Sequence, residues 1–191
     1  MKQAKVLSEN ELKRVLAVIA GRKHAARNRA ALMLSFYAGM RVGEIAALTV
    51  KDALDADGRV KDQILLRGAI TKTGEARTVF VGDKLRKELE RYAGSLKQAD
   101  RDAPFLMTQK HTAFSPNTLC QLFARLYALA GIDGASSHSG RRWFITRLAH
   151  SGVSAKVIMT LAGHRHLSTT QRYIEVNDEM MRAAAQACGT R

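Results

Sequence analysis

The chain has 191 residues, 46% of them hydrophobic, enough to bury one core of ordinary size. Its 31 lysines and arginines against 17 acidic residues leave a formal charge of +14, which suits a polyanionic partner, nucleic acid or an acidic membrane face, or else a basic solvated surface. Cys120 and Cys188 lie far apart and match no metal spacing, residues 30–40 are too short an apolar run to cross a bilayer, and the N-terminus lacks a signal-peptide core. These features argue against a secreted disulfide scaffold and a membrane span, and for a reduced cytoplasmic chain.

No tandem repeat or Gly/Ser linker interrupts the chain, so a single domain over 1–191 is expected. Ser8 and Glu11 form a capping box, and Leu12, Val15, Leu16 and Ile19 recur at helical spacing, which predicts an amphipathic helix over 9–20. A second helix, over 25–38, is apolar nearly all round and should be buried, with Gly39 as its stop. Arg41 then stands at the start of a further helix. "QILLRGAI" and "ARTVFVG" flank the turn "TKTGE", which reads as a β-hairpin with Lys72 at or near its tip. Helices follow over 83–94 and 116–130, the latter with Ser115 as cap, Pro116 in its first position, Gly131 as stop and a core stripe of Leu119, Leu122, Phe123, Leu126 and Leu129. Shorter helices over 138–150, 154–162 and 168–174 and a tail helix over 177–187 complete a domain that is mainly α with a small antiparallel β-sheet, an α+β class.

His138, Arg141 and Arg142 stand at i, i+3 and i+4, so they share one helix face. Alone, they fit a solvated basic face better than a site. Arg41 fits a scaffold pair with Glu44, Lys72 an exposed lysine, and Tyr173 a core or interface aromatic. His164 and His166 form an H-x-H, but no cysteine or acidic cluster accompanies them, so no metal is expected.

Together and in this order, these residues resemble the tyrosine recombinase, or phage integrase, family. The resemblance runs from about Ser8 to Glu179 through four boxes: "AGMRVGEIAALT", "TKTGEARTVFV", "HSGRRWFITRLAHSG" and "LAGHRHLSTTQRY". It implies a catalytic set of Arg41, Lys72, His138, Arg141 and His164, with Tyr173 as the nucleophile, and DNA contacts at Arg77, Arg142, Arg165 and Arg172. It also implies double-stranded DNA as partner, a homo-oligomer (dimer or tetramer) on that DNA, and no metal, cofactor, small-molecule substrate or membrane.

The pattern departs from the family's commonest one at Gly140, where a leucine is usual, and at Arg142, where a second histidine is usual. Only about seven residues precede the first helix, where most relatives carry a core-binding domain. The expectation is a catalytic domain alone, similar to the small fimbrial-switch invertases, or one cut from a longer protein. In the tail, Met180, Met181, Ala184 and Ala187 form an apolar stripe that docks either on a neighbouring protomer or on its own core.

The reaction implied by the resemblance exchanges a DNA phosphodiester for a 3′-phosphotyrosyl ester, releases a 5′-hydroxyl, and then reverses with a different 5′-hydroxyl. Bond energy is conserved, so no ATP is needed. Two always-charged arginines suit the developing negative charge, His138 suits acceptance of the phenol proton, and Lys72 suits protonation of the leaving oxygen. Two alternatives share the resemblance: DNA relaxation of the type IB topoisomerase kind, and a non-cutting DNA-binding accessory protein of the same fold.

Overall fold

Helix α2 (Ala25–Ala38) is the axis of the molecule because it has no polar side to turn outward. Leu32, Leu34 and Phe36 are wholly buried, and even Arg27 and Asn28 are covered. A helix of this kind needs neighbours all round. It finds them in α1 (Glu9–Ala20), α5 (Asp83–Ala93) and α7 (Ser139–His150), which pack against it from different parts of the chain. Arg27 is tolerated inside because it donates to the Asn28 side chain and the Met107 carbonyl and lies over the Phe114 ring. These elements belong to a computed structural model that describes residues 3–71, 74–96, 100–173, 181–182 and 185–186.

The local signals in α1 act as their chemistry requires: Ser8 and Glu11 cap each other's backbone, and Leu12, Val15 and Ile19 face inward. In α6 (Pro116–Leu129) the Ser115 hydroxyl accepts from the Thr118 N–H and Pro116 occupies the first turn. The core stripe of α6 differs from expectation at its end. Tyr127 is buried beside Phe123, whereas Leu129 is 45% exposed, because the packed face has rotated past it by the last turn. Two further short helices, α3 (Val42–Ala46) and α4 (Val50–Ala53), follow α2. The second was not expected; the Asp52 carboxylate closes its start by accepting from the Thr49 N–H and the Thr49 hydroxyl.

Strands β1 (Gln63–Leu66) and β2 (Arg77–Phe80) pair antiparallel, from Gln63 opposite Phe80 to Leu66 opposite Arg77. The first strand is shorter than the alternation suggests. Residues Gly68–Ile70 turn into a single 3-10 turn, and Thr71 bonds the carbonyls of Gly68 and Glu75 through its side chain. A Cβ at Gly68 would lie 2.3 Å from the Gly74 carbonyl oxygen, so the close approach here depends on glycine.

The C-terminal part forms a smaller layer. Ile145 and Ala149 of α7 meet Ile158 and Ala162 of α8 (Ala155–Ala162), with Phe144, Leu148, Val153 and Tyr173 packed around them. α9 (Leu167–Gln171) packs on α8 and stops earlier than expected; Tyr173 lies in the turn after it, its N–H donating to the Thr170 carbonyl. The tail expectation falls largely outside the described residues, and Met181 of its stripe is exposed. No helix among the described residues is long and apolar enough to cross a membrane.

Candidate active site

The site begins where α2 ends. Gly39 takes a left-handed conformation (φ +60°) that stops the helix and leaves its carbonyl oxygen free to accept. Arg141, on the first turns of α7, reaches it at 2.6 Å with Nη1 and gives Nη2 to the carbonyl of Ala162 at the end of α8. One side chain thereby joins two helix C-termini, whose partial negative charge favours a cation. Arg141 is buried, and that burial, followed by the charges of Arg41 and Arg77, pushes its affinity for a proton below the ordinary arginine value. Two carbonyls hold the guanidinium charged, and three of its five N–H groups remain for a ligand.

Arg41 precedes α3 and is fixed in the same manner, through Glu44 at 2.9 Å and the Gly163 carbonyl at 3.2 Å. Glu44 is 1% exposed and receives a second guanidinium, Arg77 of β2, at 2.7 Å. Burial would raise the Glu44 carboxyl, but the hydrogen bond and charge of Arg77, with those of Arg41, outweigh it and hold the group below its ordinary range. Two guanidiniums thus share one carboxylate whose charge also reaches Arg141, and an excess of positive charge remains on this side of the site. Arg77 donates its other terminus to the Leu161 carbonyl and is 8% exposed, so it faces inward. Gly163 makes room for it: a Cβ there would lie 2.5 Å from Arg77 Cδ.

The opposite side is aromatic. A cavity of about 350 Å³ is lined by His138, Arg141, Arg142, Arg172 and Tyr173. His138 stands just before α7, in a turn that Ser136 and Ser139 close by hydrogen bonds. Arg142 lies 5.4 Å above the Tyr173 ring and donates to the Ala4 carbonyl at 2.7 Å. His164 lines a neighbouring groove with Arg77 and Gly163, and its ring stacks on Tyr173 with centroids 6.2 Å apart. Its Nδ1 is 2.9 Å from the Thr170 hydroxyl. Burial first, then the charges of Arg141, Arg41, Arg77 and Arg172, push His164 down to about 4, so it is a neutral ring at pH 7.

Among the site residues expected from the sequence, Arg41, His138, Arg141, His164 and Tyr173 come together, with Arg142 and Arg172 beside them. Lys72 lies outside the described residues. Arg165 is exposed, 3.8 Å from the Glu75 carboxylate. His166, the second half of the H-x-H, is also exposed, and among the described residues no group of three metal-ligating side chains gathers. Both departures from the usual pattern have physical partners. A Cβ at Gly140 would meet Ser35 Oγ at 2.5 Å and the Phe36 ring at 2.6 Å, so the aromatic of α2 fills the space a larger side chain would take. Arg142 uses its length to cover Tyr173. What sequence reasoning missed is the part played by Thr170 and by four carbonyls, those of Gly39, Leu161, Ala162 and Gly163. The only signal for Thr170 is its place three residues before the tyrosine.

The geometry agrees with comparisons to known proteins. The profile of the phage integrase family matches residues 5–180. The chain is 30% identical over 186 residues to the tyrosine recombinase XerA of Pyrococcus horikoshii, a match that covers 95% of this chain and 60% of that protein. It is 31% identical over 180 residues to XerD of Neisseria meningitidis serogroup B, covering 90% of this chain and 58% of the relative. In structure it resembles crystalline XerA recombinase with a TM-score of 0.75 at 24% identity, covering 100% of this chain and 65% of that one. It likewise resembles the Tn1549 transposon integrase in complex with a circular intermediate DNA, with a TM-score of 0.79 at 21% identity, covering 98% and 67%. The chain therefore spans about 60% of the length of the curated relatives it matches. Because the match runs through every box that carries the site, the chain belongs to the phage integrase family of tyrosine recombinases.

Proposed function

We propose that this chain is the catalytic domain of a site-specific DNA recombinase, and that Tyr173 cuts one DNA strand by forming a 3′-phosphotyrosyl ester. The observation that carries this reading is the cavity in which a phenol, an imidazole and three guanidiniums share one wall. The Tyr173 oxygen attacks phosphorus, the bond to the 5′-oxygen breaks, and the reverse step with another 5′-hydroxyl rejoins the strand. Arg141 and Arg41 meet the non-bridging oxygens with donors that the protein has already oriented, an arrangement typically worth ~10²–10³-fold in rate per donor. His138 takes the phenol proton as the attack proceeds, and Lys72 gives a proton to the departing oxygen. In this reading Arg77 sets the position of Glu44 and hence of Arg41, in place of touching DNA itself.

Double-stranded DNA is the substrate this reading requires. Its support is the +14 charge, the exposed Arg172 that lines the cavity, and the exposed Arg165 next to His164 in the chain. Recombination needs a second protomer to cut the partner site and release the 5′-hydroxyl that is joined, so the working form is a homo-oligomer on DNA. The tail sequence offers Met180, Met181, Ala184 and Ala187 at helical spacing, a pattern suited to docking on a second protomer or on the chain's own core.

The test is a nicked suicide duplex built on a site from the gene's own genomic neighbourhood. The protein should remain attached to the DNA as a protease-sensitive adduct, and Tyr173→Phe should lose the adduct while keeping its affinity for the site. An undiminished adduct in the variant would remove Tyr173 from the role.

A further inference from the structure

Thr170 is fully buried at the end of α9, with its hydroxyl shut away from water. A hydroxyl carries one proton, and leaving a buried donor unused costs about 1–3 kcal/mol. Among the described residues the side chain has one hydrogen-bond partner, His164 Nδ1, at 2.9 Å. Two arrangements fit that distance. If Nδ1 carries the ring proton, the hydroxyl must accept it, and its own proton is stranded in the core. If Nδ1 is bare, the hydroxyl donates to it and no donor is lost.

We infer that Thr170 is a positioning residue whose hydroxyl donates to His164 Nδ1 and fixes the imidazole as its Nε2–H tautomer, so that the ring presents a hydrogen-bond donor and never a base. His164 Nε2 has no hydrogen bond to the described residues and is not among the buried polar atoms that lack a partner, so its proton is open to a ligand. The surroundings make the choice of tautomer matter. Arg141, Arg41, Arg77 and Arg172 face the ring and, with burial, keep it neutral at pH 7. A neutral imidazole has only one N–H, and the side on which it sits decides whether the ring can help an oxyanion. The division of labour follows: His138 is left as the histidine that moves a proton, and His164 as the one that donates a fixed hydrogen bond. What that donor does rests on the strand-transfer reading; which nitrogen carries the proton does not.

The experiment uses the full chain with ¹⁵N-labelled histidine. Long-range ¹H–¹⁵N correlation at pH 7, with the His164 signal assigned by its loss in His164→Gln, should show a protonated Nε2 and a bare Nδ1. Thr170→Val keeps the shape and removes the hydroxyl. It should spread His164 over both tautomers and slow adduct formation on the nicked duplex, by less than the ~10²–10³-fold that deletion of a whole oxyanion donor costs. Thr170→Ser should restore both. A wild-type ring protonated at Nδ1, or at both nitrogens, would overturn the assignment, and that measurement needs no variant to fold. So would a folded Thr170→Val protein with the wild-type tautomer and rate. A wild-type chain with the expected tautomer and no adduct would instead sink the strand-transfer reading and leave the tautomer in place.

Discussion

Arg141 and Tyr173 line one cavity, yet they are held by different means. Arg141 is buried and tied to the carbonyls of two helices, and its neighbours Arg41 and Arg77 converge on a carboxylate that is itself buried. The large core, built on α2, stands directly behind them. Tyr173 rests on a cluster of four buried residues among those described, in the turn after a five-residue helix, between the His164 ring and the Arg142 guanidinium. The cations are fixed by networks in which every loss strands a charge; Tyr173 is held by stacking and a small apolar patch, which are weaker and less directional. The strand transfer proposed for this site benefits from that asymmetry. Charge stabilisation works best when it is preorganised, whereas the attacking group has to swing towards phosphorus and later release it.

The largest expected effect comes from breaking the fixed side. Glu44→Gln removes the carboxylate that Arg41 and Arg77 share and should cost about 3–5 kcal/mol of stability, read by denaturant unfolding. The same variant carries a pH signature. Because the Glu44 carboxyl is held below its ordinary value of 4.5, its contribution is complete above that pH and is lost as pH falls through the lower folded value. Wild-type protein should therefore lose stability in that acid range, and Glu44→Gln should lose less of what remains. An unchanged acid limb would mean that the network is not under load.

An intermediate effect tests the seam between the two regions. Gly140→Leu restores the residue usual in the family, but its side chain would press into Ser35 and Phe36, and it should cost about 1–3 kcal/mol, with a lowered melting temperature. A variant as stable as wild type would show that α2 and α7 can separate without penalty.

The aromatic side has its own acid window, above that of Glu44. His164 falls to about 4 in the folded chain from an ordinary 6.5, so its neutral state supports the fold above 6.5, and that support is withdrawn as pH drops from 6.5 towards 4. His164→Gln should flatten the stability profile between those values and leave the Glu44 limb below 4.5 intact. Loss of both limbs together would show that the two regions titrate as one.

The smallest effect belongs to Arg142→Leu. Loss of its partly exposed contact over the Tyr173 ring, worth about 0.5–1 kcal/mol, and of its hydrogen bond to the Ala4 carbonyl, worth about as much, should lower the melting temperature only slightly while adduct formation slows several-fold. A drop in stability as large as that of Glu44→Gln would place Arg142 with the rigid network after all.

Much of this was legible along the chain because it rests on local chemistry. The capping box of α1, the all-apolar surface of α2, the Ser115 and Pro116 start of α6 and the glycine stop at Gly39 depend on neighbours within a few residues, and the structure has each of them. Where the local pattern misled, longer-range contacts had replaced it: the first strand yields to a turn closed by Thr71, and Leu129 of α6 is left outside the packed face. Arg41, His138, Arg141, His164 and Tyr173 were readable as residue types in a fixed order. Their assembly was not, because the anchors are the carbonyls of Gly39, Leu161, Ala162 and Gly163, and a carbonyl is the same in every residue. Nor does the order of residues say that Arg77 would turn inward to Glu44, 33 positions away, or that Thr170 would be sealed in with one partner for its proton. Order along the chain set which charges and which tyrosine the site carries. Burial, which exists only once distant segments meet, decided which of those charges are fixed, which ring is neutral, and which nitrogen of that ring is left to donate.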